Sequence, residues 1–298
     1  MKTVCFYHGS DLDGKCSGAI VAKARPQVEL IPINYDQPID MMKCEGNEVI
    51  FVDFCPKVEE AVTISQICSR LIIIDHHKTV DVAKLKELCT TRLELHVEIG
   101  QAGCELTWNY FFPDKFVPEA VRFLGRYDVW DHSDPRTLPF QYGARMKLKN
   151  PSNQQSVGEW PALLAATELG GEFVEEILEV GEICMKYQQE QDALYTQSAF
   201  EAKFNGGLRA LCLNKMYCSS QVFASRWDNT KYDVMIAFGF RGDKWTVSLY
   251  TDRPDVDCGE LCKRRGGGGH RQAAGFAVNS FQDIGLEDIR KIEEKPRA

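Results

Sequence analysis

The chain has 298 residues, 44% of them hydrophobic and 26% charged, with a formal net charge of −8. Such a composition describes a soluble globular protein able to bury one large or two ordinary cores without staples, and its acidic balance argues against non-specific coating of nucleic acid. No run approaches 18 apolar residues and no charged, then apolar leader opens the chain, so neither a membrane span nor a signal peptide is expected.

Residues 1–110 alternate short apolar runs with helical patterns. Strands are predicted at Thr3–His8, Val28–Asn34, Glu48–Phe54, Arg70–Asp75 and Arg92–Glu98, and helices at Gly14–Arg25, Lys57–Ser69, Val80–Cys89 and Gly103–Phe112. This alternation predicts an α/β fold with a parallel sheet, whose right-handed crossovers put all strand C-termini on one edge. Residues 114–200 read as mostly helical. An amphipathic pattern starts at Glu172 and runs to about Phe200, with Phe173, Ile177, Val180 and Cys184 at helical spacing. It reads as an arm joining two lobes, although a core helix fits the pattern nearly as well. Beyond it, Leu208–Leu213, Tyr232–Gly239 and Lys244–Tyr250 read as strands, and Ser219–Trp227, Val256–Arg265 and Asp283–Glu293 as helices. The expected organisation is a first domain over 1–170, a helical linker over 171–204 and a smaller α/β domain over 205–298.

The twelve cysteines are scattered without a Cys-x-x-Cys pair. A zinc ribbon is therefore not expected, and free thiols in a reducing cytoplasm are.

Three apolar runs end in side chains that bind metal. Leu71-Ile72-Ile73-Ile74 leads into Asp75-His76-His77, Val4-Cys5-Phe6-Tyr7 into His8-Gly9-Ser10-Asp11-Leu12-Asp13-Gly14, and Val49-Ile50-Phe51-Val52 into Asp53. One Asp-His-His triplet alone could be a turn with a helix cap. Three such endings on adjacent parallel strands would share one sheet edge, where open α/β folds bind ligands. Carboxylates and imidazoles together suit Mn²⁺, Fe²⁺ or Zn²⁺. Asp11 and Asp13 are two residues apart, so in an extended turn both can face one way, and Gly14 permits tight entry into the following helix.

At these residues the sequence resembles the DHH phosphoesterase family. His8-x-x-Asp11-x-Asp13-Gly14 is similar to its first motif, Asp53 to its second, Asp75-His76-His77 to its third and Tyr127-Asp128-Val129-Trp130 to its fourth. Gly267-Gly268-Gly269-His270-Arg271-Gln272-Ala273-Ala274-Gly275-Phe276 is similar to the glycine-rich signature of the DHHA1 domain. The nearest subgroup by resemblance is the short oligoribonucleases that clear nano-RNA.

The resemblance implies a two-ion site. His8, Asp11 and Asp53 would hold one divalent ion, and Asp13, Asp53, His76 and Asp128 the other, with Asp53 as bridge. Mn²⁺ suits these ligands best, and Mg²⁺, Co²⁺ and Fe²⁺ are not separable from it by sequence. By the same resemblance His77 would polarise the substrate phosphate or protonate the leaving group, and Asp75 would orient an imidazole. Asp128 is preferred over Asp131 by its Tyr-Asp-x-Trp context. Gly268, Gly269, His270 and Arg271 would bind substrate phosphates. That run holds four cations and no acid from Lys263 to Arg271, and its glycines could expose amides as an anion nest. A slim helix is expected after it, and a hinge in the linker would close a cleft between the lobes.

The function expected from these residues is an Mn²⁺-dependent phosphodiesterase that hydrolyses short RNA oligonucleotides to mononucleotides by in-line attack of a water activated between two ions. Hydrolysis of cyclic or linear dinucleotides, of pAp, or of polyphosphate or pyrophosphate are alternatives within the class. A non-catalytic nucleotide sensor is the alternative outside it. The partners expected are short RNA or a dinucleotide. No membrane is expected as partner, and a homodimer is compatible with the sequence.

Overall fold

The computed structural model describes residues 2–152, 158–165 and 171–292. The chain divides into two compact units, one up to Met185 and one from Lys186 on.

The first unit is built on a parallel sheet of β1 (Thr3–His8), β2 (Glu29–Ile33), β3 (Glu48–Val52), β4 (Arg70–Asp75) and β5 (Leu93–Val97), in the order β2-β1-β3-β4-β5. Crossovers run through α1 (Leu12–Ala24), α2 (Met41–Cys44), α3 (Val58–Ile67) and α4 (Val82–Leu88). Leu71, Ile72, Ile73 and Ile74 are all fully buried because helices cover both faces of β4, and this is why the strand reads as an unbroken apolar run. Alternation assigns the faces. Phe6, Phe51 and Ile73 pack with Ala61 and Ile64 of α3 and with Leu85 of α4, while Cys5, Tyr7, Ile50, Ile72 and Ile74 pack with Val21 of α1. The predicted strands and covering helices of residues 1–110 are thus present, with ends moved by one or two residues.

A helical layer follows, of α5 (Gly103–Phe111), α6 (Glu119–Asp128), α7 (Thr137–Lys147), α8 (Glu159–Ala165) and α9 (Glu172–Tyr195). Trp108, Phe123, Phe140, Trp160, Val174, Ile177 and Leu178 share one core with Ile20 of α1. The buried stripe of α9 is Val174, Ile177, Leu178 and Gly181, one residue off the expected stripe at its start. The first half of α9 is therefore core rather than a free arm. The helix also ends before Phe200. Thr196–Ser198 forms a 3₁₀ turn and β6 (Phe200–Phe204) begins, its alternation burying Ala202 and Phe204. The last residues of the expected linker are thus a strand of the second sheet.

That second sheet adds β7 (Leu208–Asn214), β8 (Val234–Phe240), β9 (Trp245–Tyr250), β10 (Gly268–Gly269), β11 (Ala273–Val278) and β12 (Leu286–Lys291), with α10 (Cys258–Lys263) packed beside it. The order is β10-β11-β9-β8-β7-β6-β12, with β7 and β8 parallel and the other pairs antiparallel.

Three helix expectations fail here. Leu286 and Ile289 are spaced as on a helix, but they lie on edge strand β12, where a register shift between Glu287 and Arg290 supplies the odd spacing; Glu293 lies outside the described residues. The segment after the glycine run is β11, because pairing with β9 overrides the local signal of its alanines. Ser219–Trp227 forms only a 3₁₀ turn at Ser220–Phe223.

All twelve cysteines are free thiols, most of them buried. Among the described residues no helix is long and apolar enough to cross a membrane.

Candidate metal centre

Strands β1, β3 and β4 are neighbours in parallel register, Tyr7 beside Val52 and Val52 beside Ile74. His8, Asp53 and Asp75-His76-His77 therefore meet at one edge, as the three strand endings predict. The Asp53 amide donates to the Ile74 carbonyl at 2.9 Å. Its φ of 52° is left-handed, a conformation that Asp and Asn tolerate better than most residues, and it turns the carboxylate into the site.

The first motif folds differently from an extended turn. Asp11 is the N-cap of α1 and accepts from the Gly14 amide at 2.9 Å, whereas Asp13 already lies in the first helical turn. A Cβ on Gly14 would stand 2.1 Å from the His8 carbonyl oxygen, so the close passage of α1 over the end of β1 needs glycine. Ser17 spends its hydroxyl on the Asp13 carbonyl at 2.9 Å, a structural role.

The six expected ligands come together in two groups, His8, Asp11 and Asp53 in one and Asp13, His76 and Asp128 in the other, with ligand atoms within 4.8 Å in each, and a third group of Asp53, Asp75, His76 and His77 overlaps both. Asp53 lies between them: Oδ2 is 3.4 Å from His8 Nδ1, and Oδ1 is 3.1 Å from His76 Nε2. His8 Nδ1 is also 3.0 Å from Asp11 Oδ2. His76 Nε2 is also 3.4 Å from Asp128 Oδ2 and 3.7 Å from Asp13 Oδ2. Asp131 is instead 3.5 Å from Arg126 and accepts from the Ser133 amide at 3.0 Å.

His77 and Asp75 belong to the third group, with Asp53 and His76. Asp75 is fully buried, and its Oδ1 accepts from the His76 amide at 2.7 Å and lies 2.7 Å from His77 Nδ1. The carboxylate thus fixes the His77 ring.

The electrostatics fit a cation. Burial, and then the neighbouring Asp13 charge, push the Asp53 and Asp128 carboxyls well above the usual carboxylate range. Burial disfavours the His8 imidazolium, but the Asp11 and Asp53 carboxylates outweigh it and push its pKa up to about 10. The cluster thus keeps protons where it has no cation. Buried Asp53 Oδ1 and Asp128 Oδ2 accept no hydrogen bond among the described residues, an arrangement that a divalent ion would satisfy. The cluster could therefore hold metal, and its oxygen and nitrogen donors suit a hard or borderline ion. Among the described residues no cysteine belongs to these groups. Burial pushes the Cys55 thiol up to about 12, so it offers no ready thiolate.

Two features escaped the sequence reading. The Gly103 and Cys104 amides at the start of α5 each donate to the Asp13 carboxylate at 2.8 Å. A Cβ on Gly103 would stand 2.8 Å from the Asp53 side chain, so glycine makes room for both carboxylates. The predicted helix start at Gly103 was the available signal. Tyr35, just past β2, has its ring 5.6 Å from His8 and 6.1 Å from His77. Its signal was position alone, beyond a fourth strand ending on the same edge.

In the second unit Gly268 and Gly269 form β10, exposed, and His270 and Arg271 follow in the turn to β11. The amides of Gly266, Gly267 and His270 donate to the carbonyls of Lys263, Cys262 and Ala273, so much of the expected anion nest is engaged. Gly267 is required for packing, since its Cβ would stand 2.1 Å from the Gly275 carbonyl oxygen. Arg265 donates to Asn205 and to the Asp283 carbonyl and lies over the Phe204 and Phe276 rings, so one of the four cations is structural.

No protein-family model matches the chain. An uncharacterised protein of Acanthamoeba polyphaga mimivirus is 26% identical over 98% of this chain and 70% of its own length. Among solved structures, the chain is similar to the DHH domain of a member of a ribosomal-protein family, with TM-score 0.59, 15% identity, and 95% of this chain and 84% of that one covered. An exopolyphosphatase-related protein of Bacteroides fragilis gives TM-score 0.53 and 13% identity over 95% and 88% of the two chains. A pGpG-specific phosphodiesterase of Vibrio cholerae gives TM-score 0.50 and 16% identity over 95% of each.

Proposed function

We propose, on the premise that this chain has the fold of the DHH-domain proteins, that it is a phosphoesterase hydrolysing short RNA oligonucleotides to mononucleotides with Mn²⁺ as cofactor. The observation that carries this reading is Asp53, one carboxylate placed between two ligand groups at a sheet edge.

In the proposal His8, Asp11 and Asp53 would hold one ion, and Asp13, Asp53, His76 and Asp128 the other. Divalent ions bound by these residues would supply acidification of a water and neutralisation of charge on a phosphoryl group. The chain's own residues do the rest. The α5 amides hold the Asp13 carboxylate in one orientation, so its binding geometry is set before any ligand arrives. Asp75 holds His77, which we assign to the substrate phosphate or to proton delivery to the leaving sugar oxygen. In the second unit Gly268, Gly269, His270 and Arg271 remain the proposed phosphate contacts, with Arg271 exposed.

A second reading is dinucleotide hydrolysis, favoured by the likeness over nearly the whole chain to a pGpG-specific phosphodiesterase. Hydrolysis of 5′-labelled RNA, from dinucleotides to chains of about two dozen residues, with Mn²⁺ against EDTA, separates the readings. Mn²⁺-dependent loss of the two- to five-mers supports the oligoribonuclease reading. Cleavage confined to dinucleotides supports the second. No cleavage at any length refutes both and directs the search to polyphosphate.

A further inference from the structure

Tyr35 is more than half exposed, at 53%, yet its position is fixed. It lies in a turn whose ends are joined: the Asn34 amide donates to Gln37 Oε1 and the Gln37 amide to the Asn34 carbonyl, both at 3.0 Å. Ser10 of the first motif donates to Asn34 Oδ1 at 2.6 Å, tying this turn to the metal-binding loop. The Tyr35 ring stacks on Phe54 with centroids 4.7 Å apart and planes 28° apart, and Phe54, next to Asp53, is buried. The ring is thus braced from the core side, bordered by the His8 and His77 rings, and partly open to solvent.

We infer that Tyr35 is the platform on which a nucleobase of the substrate stacks while its phosphate lies at the metal ligands. The inference rests on the phosphoesterase reading and deepens it by naming the residue that holds a base of the substrate, where the metal ligands account only for its phosphate. An aromatic face held still loses little conformational freedom on binding, and it takes any base because every base has a π-face. Neither property serves a polyphosphate.

The test compares a diribonucleotide with its analogue abasic at the terminal positions. In Tyr35→Ala and Tyr35→Leu the ratio of kcat/KM for the two substrates should fall about ten- to a hundredfold, the loss expected for one stacked base. Tyr35→Phe should keep the wild-type ratio, since only the hydroxyl is removed. An Mn²⁺ affinity equal to wild type in each variant confirms an intact site. An unchanged ratio in both Tyr35→Ala and Tyr35→Leu overturns the platform while leaving the phosphoesterase reading in place. If the wild type cleaves no oligonucleotide, the function fails, and the platform is decided by AMP binding in equilibrium dialysis: weaker binding to Tyr35→Ala than to wild type upholds it, and equal or absent binding refutes it.

Discussion

The proton inventory of the metal centre sets how its affinity must depend on pH. His8 lies 3.0 Å from Asp11 and 3.4 Å from Asp53, and these contacts raise its pKa from 6.5 to about 10. A raised histidine pKa stabilises the folded state fully below pH 6.5, and this contribution is lost as pH rises through about 10. Across that window the metal-free site holds a proton on His8 that a metal ligand cannot keep. Each ion bound there should release about one proton, so apparent affinity should rise about tenfold per pH unit. From pH 6.5 to 8.5 that is about a hundredfold, or about 2.7 kcal/mol. Calorimetric titration of Mn²⁺ at several pH values, each in two buffers of different ionisation heat, gives affinity and proton count together. An affinity flat across this range with no proton released would refute the reasoning, since it would mean that the His8 cluster is not where the ion binds.

Substituting Asp53→Asn keeps the left-handed backbone within reach and removes the shared carboxylate. Turnover should vanish, and the Mn²⁺-induced rise in Tm should largely disappear while the Tm in EDTA stays level or increases. Asp128→Asn should lower the bound-ion stoichiometry in the same titration, whereas Asp131→Asn, which alters only the contacts to Arg126 and Ser133, should leave it unchanged. Gly14→Ala puts a methyl 2.1 Å from a carbonyl oxygen, and a clash of that severity should cost about 3 kcal/mol or more in urea unfolding. Arg271→Ala should raise KM for RNA with the Mn²⁺ affinity unchanged, and an unaltered KM removes Arg271 from the proposed phosphate contacts.

The parallel sheet was legible because three of its strands, β1, β3 and β4, carry two signals at once, an apolar run and a ligand at its end. His8, Asp53 and Asp75 could be placed on one edge from topology alone. The Gly103 and Cys104 clamp was not legible, because backbone amides leave no mark in residue type. Strand β12 was misread since Leu286 and Ile289 keep helical spacing, and only pairing with β6 reveals the bulge. The glycine run pointed to ligand binding, yet some of its glycines are explained by one chain segment crossing another at close range. Tyr35 was passed over because an aromatic residue in a turn carries no ligand signal until its neighbours are known.

The left-handed backbone at position 53 also bears on how such a chain can diverge. Asp, Asn and Gly enter that conformation at little cost, and bulkier or branched residues do not. Drift at this position is therefore funnelled toward Asn and Gly, both of which spare the backbone and remove the shared charge. A lineage that loses its chemistry here would retain a foldable scaffold with its sheet edge intact. Descendants that keep this fold without the shared carboxylate lie one codon change away from the present sequence.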